Sequence, residues 1–160
     1  MHHYLKQRAL GYYLKQFENL VFEKCDLANT QVLETSIHQV LFRNCRFTGL
    51  IAQDSIIENA TFEKCKINLA SWSGCKMKNI VFEECDLTEI DFLNCELENI
   101  EFNDCILTDG KMLESKIKKV DLRTSNVQNL KVTTFEGLIT DPTQSVDILL
   151  ALGAEIRWKE

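Results

Sequence analysis

Proline and glycine are scarce in this 160-residue chain, which has one of the first and six of the second. Their scarcity excludes collagen-like and low-complexity architectures, which need both in quantity. Histidine is nearly absent as well: His2, His3 and His38 are the only three. The sequence pattern brings no nucleophile or base beside His38, so imidazole-based catalysis has no constellation to act through. G-x-G-x-x-G, P-loop, G-x-S-x-G and H-E-x-x-H motifs are all missing. The expectation is a protein that is not an enzyme and has no cofactor. No apolar run approaches the roughly 18 to 20 residues of a membrane span, and Met1 to Lys6 lack a signal-peptide core, so the expected location is the cytoplasm. Basic residues are outnumbered 18 to 24, for a net charge of -6. That balance argues against a large nucleic-acid surface and for a protein partner.

What the chain does have is a five-residue period. Stepping by five from Phe17 gives Phe22, Leu27, Val32, Ile37, Phe42 and so on to Val132, 24 positions that are all apolar. In a chain that is 45% hydrophobic, independent draws would give this with odds on the order of 10⁻⁸. Two residues before each of these from Phe22 on runs a second, uncharged series, from Leu20, Cys25, Thr30 and Thr35 to Leu130. Charged residues fill only the other three positions, so two of every five residues point inward. Neither a helix of period 3.6 nor a strand of period 2 can hold that orientation over such a length, whereas a solenoid can.

A longer period lies inside the short one. Phe22, Phe42, Phe62, Phe82 and Phe102 recur at 20 residues, as do Cys25, Cys45, Cys65, Cys85 and Cys105. Four pentads therefore make one turn, and the 24 positions make about six coils of an all-β solenoid. Asn, Asp or Gly often follows the large inward residue by two, as at Asn29, Asn44, Gly49, Asp54 and Asn59, which suits a corner. Units such as Ala60-Thr61-Phe62-Glu63-Lys64 and Cys85-Asp86-Leu87-Thr88-Glu89 resemble the pentapeptide-repeat proteins over about residues 15 to 136. That resemblance implies a right-handed quadrilateral β-helix.

Residues 15–136 are thus expected to form the β-helix, with 1–14 as an N-terminal cap or flexible segment and 137–160 as a C-terminal helical cap and dimerisation tail. Thr140 or Asp141 can cap the tail helix, Pro142 suits its first position, and Gly153 can end it. Val146, Leu149, Leu150 and Leu152 make one apolar side, which predicts the buried one. Ile148, Leu149, Leu152, Ile156 and Trp158 offer more apolar surface than one short helix can bury, which predicts a homodimer through this tail. The tail also resembles the C-terminal end of full-length bacterial members, including those that protect DNA gyrase from quinolones.

Seven cysteines, Cys75 and Cys95 included, fall only in the small inward positions, and no C-x-x-C occurs. A single file inside an apolar tube cannot surround a metal ion, so the expectation is buried free thiols and no metal. The surface is more informative. From Asn79 to Gly110 there is no Lys or Arg, while ten Asp and Glu residues form an acidic belt. Its candidate binding residues are Glu83, Glu84, Glu101 and Asp104 beside the phenylalanine column, with Asp86, Glu89 and Asp109 on the next side. One reading is simple solvation. The other, implied by the resemblance, is mimicry of DNA toward gyrase or another topoisomerase. Leu93 and Leu113, outward and one coil apart, make a possible apolar contact for a scaffold of different partnership.

Overall fold

The computed structural model describes residues 15–157, so the expected N-terminal cap at 1–14 and Trp158 lie outside the described residues. The chain winds through β1 (Gln16–Glu23), β2 (Gln31–Leu33), β3 (Ser36–Arg43), β4 (Ile51–Gln53), β5 (Ile56–Glu63), β6 (Ser71–Ser73) and β7 (Lys76–Glu83). It continues through β8 (Asp91–Leu93), β9 (Glu96–Asn103), β10 (Lys111–Leu113), β11 (Lys116–Asp121), β12 (Lys131–Val132), β13 (Leu138–Ile139) and α1 (Pro142–Ala151). Odd-numbered strands stack into a seven-stranded parallel sheet and even-numbered ones into a six-stranded parallel sheet. The result is a right-handed quadrilateral β-helix of about six coils.

Each long strand covers two sides of the square and bends at a corner in its middle, as at Asn19, Gln39, Asn59, Asn79 and Asn99. The third side is held by single bridges from Asp26 up through Arg46, Lys66, Asp86 and Ile106 to Asn126. The short strands make the fourth side. The register is 20 residues throughout, pairing Phe22 with Phe42 and Ile37 with Ile57. Identical residues therefore stack. The phenylalanine rings lie 5.1 Å apart for Phe22 and Phe42 and 4.9 Å apart for each pair above.

Among the described residues twenty other than glycine adopt positive φ, and every one is a corner residue. Asn and Asp suit that conformation, as the sequence suggests, but Lys64, Leu69, Glu84 and Glu114 share it. Their left-handed geometry costs on the order of 1 kcal/mol each. It is imposed by the stack: the Lys64 amide donates to the Glu83 carbonyl one coil on (2.8 Å), and the Glu84 amide to Asn103 (2.9 Å).

At the C-terminal end β13 adds to β11, pairing Val120 with Leu138. Gly137 makes this approach possible, since a side chain there would collide with the Ile117 carbonyl. Asp141 then caps α1 in a reciprocal capping box with Gln144. The helix does cover the last coil, but with a different face from the one its apolar residues suggest. Gln144 and Ile148 are buried, whereas Leu149, Leu150 and Leu152 are exposed. The physical reason is the tube end itself, where the Ser125 carbonyl needs a donor and the Leu122 carbonyl, already bonded to the Ser125 amide, has room for a second. Gln144 Nε2 donates to both, to Ser125 at 2.7 Å.

Candidate protein-interaction surface

The interior holds a single apolar core with few polar atoms. Cys45, Cys65, Cys75, Cys85, Cys95 and Cys105 are buried, and Cys25, in the first coil, is half-buried; all seven are free. They are more than small apolar fillers. Cys85 Sγ donates to the Phe62 carbonyl one coil below (3.2 Å) and to Glu83 (3.4 Å), and Cys105 repeats the pattern with Phe82 and Asn103. Ser115 does the same for Phe92 and Leu113. Hydrogen bonds between neighbouring sulfurs, together with burial, push the Cys45, Cys85 and Cys95 thiols upward, and the same hydrogen bonds push their partners Cys65, Cys75 and Cys105 downward. Among the described residues no group of three or more His, Cys, Asp or Glu converges as a metal site.

The first side is electrostatically self-contained. One outward column reads Glu18, His38, Glu58, Lys78, Glu98, Lys118, alternating up the rod. His38 Nδ1 lies 3.6 Å from Glu58, while Glu98 receives Lys78 at 3.4 Å and Lys118 at 3.2 Å. The Lys118 hydrogen bond, with both ammonium charges, holds the Glu98 carboxyl below its ordinary range. Lys116 similarly reaches Glu96 at 3.7 Å. Two of the ten acids are thereby neutralised, and their 20-residue spacing from lysines is the signal in the sequence that reveals it.

The remaining belt wraps the other three sides. Glu83 and Glu101 face outward on the second side, with Glu84 and Asp104 at its corner, Asp86 on the third side, and Glu89 and Asp109 at the next corner. Asp91, on the fourth side, completes it. Several carboxylates are oriented locally: Glu83 accepts from Asn103 Nδ2 (3.0 Å), Asp86 from the Thr88 amide and hydroxyl (3.1 and 2.7 Å), and Asp109 from Asn129 Nδ2 (3.0 Å). Only Glu84 has a cationic partner, Lys64 at 3.8 Å, among the described residues. Above the belt, Arg123 is held by Asp121 at 2.7 Å, and that hydrogen bond lowers the Asp121 carboxyl.

Two further features adjoin the belt. Leu93 and Leu113 do pair across β8 and β10, Leu93 exposed and Leu113 half-buried. Where α1 overhangs the tube, Leu150 and Ala151 face Glu89, Asp91, Asp109, Lys111 and Lys131 across a cleft. Of the tail residues, Ile148 is fully covered by its own chain, Leu149 and Leu152 are exposed, and Ile156 is half-buried. Exposed Leu150 joins them. No described helix is long and apolar enough to cross a membrane.

No curated protein matches the sequence. Solved structures with a related course include QnrB1, a plasmid-mediated fluoroquinolone resistance protein, at 15% identity over 91% of this chain and 92% of that one, with a TM-score of 0.42. HetL, a pentapeptide repeat protein involved in heterocyst differentiation regulation in the cyanobacterium Nostoc sp. strain PCC 7120, is 13% identical over 74% of this chain and 52% of its own, with a TM-score of 0.45. The sequence pattern of the pentapeptide repeat region matches residues 9–72 and 56–122. Covering well over half the chain in the frame that the stacked columns require, this match makes the chain a member of the pentapeptide repeat family.

Proposed function

We propose that this protein is a non-enzymatic scaffold that binds a partner protein bearing a basic surface, and that the acidic belt is the contact. The observation behind this reading is the set of carboxylates on three adjoining sides of which, among the described residues, only Glu84 is ion-paired. Such charges retain their long-range field, steer a cationic partner and weaken with salt. Seven free thiols suit a reducing, cytoplasmic setting. Two copies associate through the exposed Leu149, Leu150 and Leu152.

One observation favours DNA gyrase or another topoisomerase as that partner. The belt occupies two coils, about 10 Å of rod at strand spacing. Duplex DNA carries about six phosphates over that length. Glu83, Glu84, Asp86, Glu89, Asp91, Glu101, Asp104 and Asp109 present a comparable number of charges, which suits a basic DNA-binding saddle.

Gyrase supercoiling, with and without a quinolone, tests this second reading. The expected outcome is inhibition or protection that fades with salt and is lost when Glu83, Glu84, Glu101 and Asp104 are together reversed to Lys. Reversal of Glu23 and Glu63, lower on the same side, has less effect. No change in gyrase activity at protein well above the enzyme's concentration removes the topoisomerase and leaves the scaffold. For the dimer, Leu149→Glu with Leu152→Glu spares the buried Gln144 and Ile148; light scattering is expected to show the mass halved, and an unchanged mass overturns the dimer.

A further inference from the structure

We infer that the N-terminal mouth of the tube is a binding site for a small, one-ring ligand with an apolar body and a single oxygen acceptor. The argument begins with one column. On the fourth side Val32, Ala52 and Trp72 stack in register, and Ala52 is the only alanine among the 24 large inward positions. With no side chain beyond Cβ at that level, the core beneath the indole is left unfilled. A cavity of about 120 Å³ results, walled by Phe17, Phe22, Val32, Ala52, Ile57 and Trp72. Among the described residues its rim is formed by Lys15, Gln31 and Leu33, all exposed in the first coil.

Size and lining define the ligand's body. An apolar cavity of about 150 Å³ inside a protein stays dry and accepts benzene, so this one suits a single ring and little more. The ligand's polar atom is defined by Trp72. Its side chain is 2% exposed, and its Nε1 is one of only two buried side-chain nitrogen or oxygen atoms without a hydrogen-bond partner among the described residues. An indole N–H can only donate, so what it lacks is an acceptor. A phenolic or carbonyl oxygen on the ring supplies one, and the aromatic walls stack against the rest.

Calorimetric titration of the full chain with phenol and with toluene, its near-isostere, tests the proposal. The expected result is saturable binding of both, with phenol several-fold tighter, the scale of one neutral hydrogen bond. Ala52→Leu fills the space and is expected to weaken both ligands at least about tenfold, the scale expected when the apolar volume is occupied. Melting curves show whether that variant is folded, and Ala52→Val, a smaller filling, is expected to weaken both by less. Trp72→Phe removes the donor, so toluene still binds and the preference for phenol disappears. A flat titration with both ligands, as when residues 1–14 or solvent fill the space, overturns the site. Undiminished binding by folded Ala52→Leu or Ala52→Val overturns it equally. A phenol preference that survives Trp72→Phe overturns the acceptor assignment.

Discussion

A thiol in the small inward column fills little volume and still offers a proton to two carbonyls. That pairing of properties explains why the five cysteines of the third side are succeeded by a serine and not by a charged residue, Cys105 being followed one coil later by Ser125 with the same bond to a carbonyl below. Cys85→Ser keeps both features and is expected to cost under about 1 kcal/mol, whereas Cys85→Leu overpacks the column and costs about 1–3 kcal/mol by denaturant unfolding. The hydrogen bonds within each sulfur pair raise Cys45, Cys85 and Cys95 and lower Cys65, Cys75 and Cys105, while burial raises all six. The raised three have a folded pKa above the unfolded one, so their contribution is complete below about pH 8.5, where an unfolded thiol keeps its proton, and is lost above it. The lowered three act in the opposite sense. Urea midpoints are therefore expected to fall less between neutral pH and pH about 10 in a chain with Cys45, Cys85 and Cys95 replaced by serine than in one with Cys65, Cys75 and Cys105 replaced. In the native state a thiol reagent is expected to find half-buried Cys25 first.

Among the elements, α1 behaves least like its sequence. Its leucines look like the inner face, yet the inner face is Gln144 and Ile148, because a solenoid end is a ring of unpaired carbonyls as well as an apolar surface. Gln144→Leu, apolar at a buried position, is therefore expected to destabilise by about 1–3 kcal/mol in thermal or denaturant melts by leaving the Ser125 carbonyl without its donor, while the Leu122 carbonyl keeps the Ser125 amide. The corners show the complementary limit. Asn59, Asn79 and Asn99 can be read from the sequence and link into an amide ladder, at 2.9 and 2.8 Å. Leu69 cannot, since nothing in its side chain favours positive φ and only the coils above and below enforce it. Because Leu69 is also exposed, Leu69→Gly releases backbone strain at little packing cost and is expected to raise stability by up to about 1 kcal/mol. The inward pairs were legible because each pentad repeats its own chemistry. Which outward acids stay unpaired was legible only through the 20-residue register that sets Lys78 and Lys118 against Glu98.

On the scale of the whole molecule, each coil contacts only its neighbours, so stability accumulates by nearest-neighbour interfaces. Burial is uneven along the rod. Phe82, Leu87, Ile90 and Phe92 in the middle are completely covered, while Leu20, Cys25, Leu27 and Val32 of the first coil and Ile37 of the second are only partly so. Amide exchange is expected to be slowest in β7 and β9 and fastest in β1 and β2, and uniform protection would contradict the additive picture. The parallel one-coil register has a mechanical counterpart. A chain pulled from its N-terminus meets hydrogen bonds that lie along the rod axis and break one coil at a time, so the load peels the structure instead of shearing it. Each 20-residue coil set free pays out up to about 70 Å of extended chain against about 5 Å of lost rod. The protein thus responds to tension as a reel, yielding in equal steps at nearly constant force.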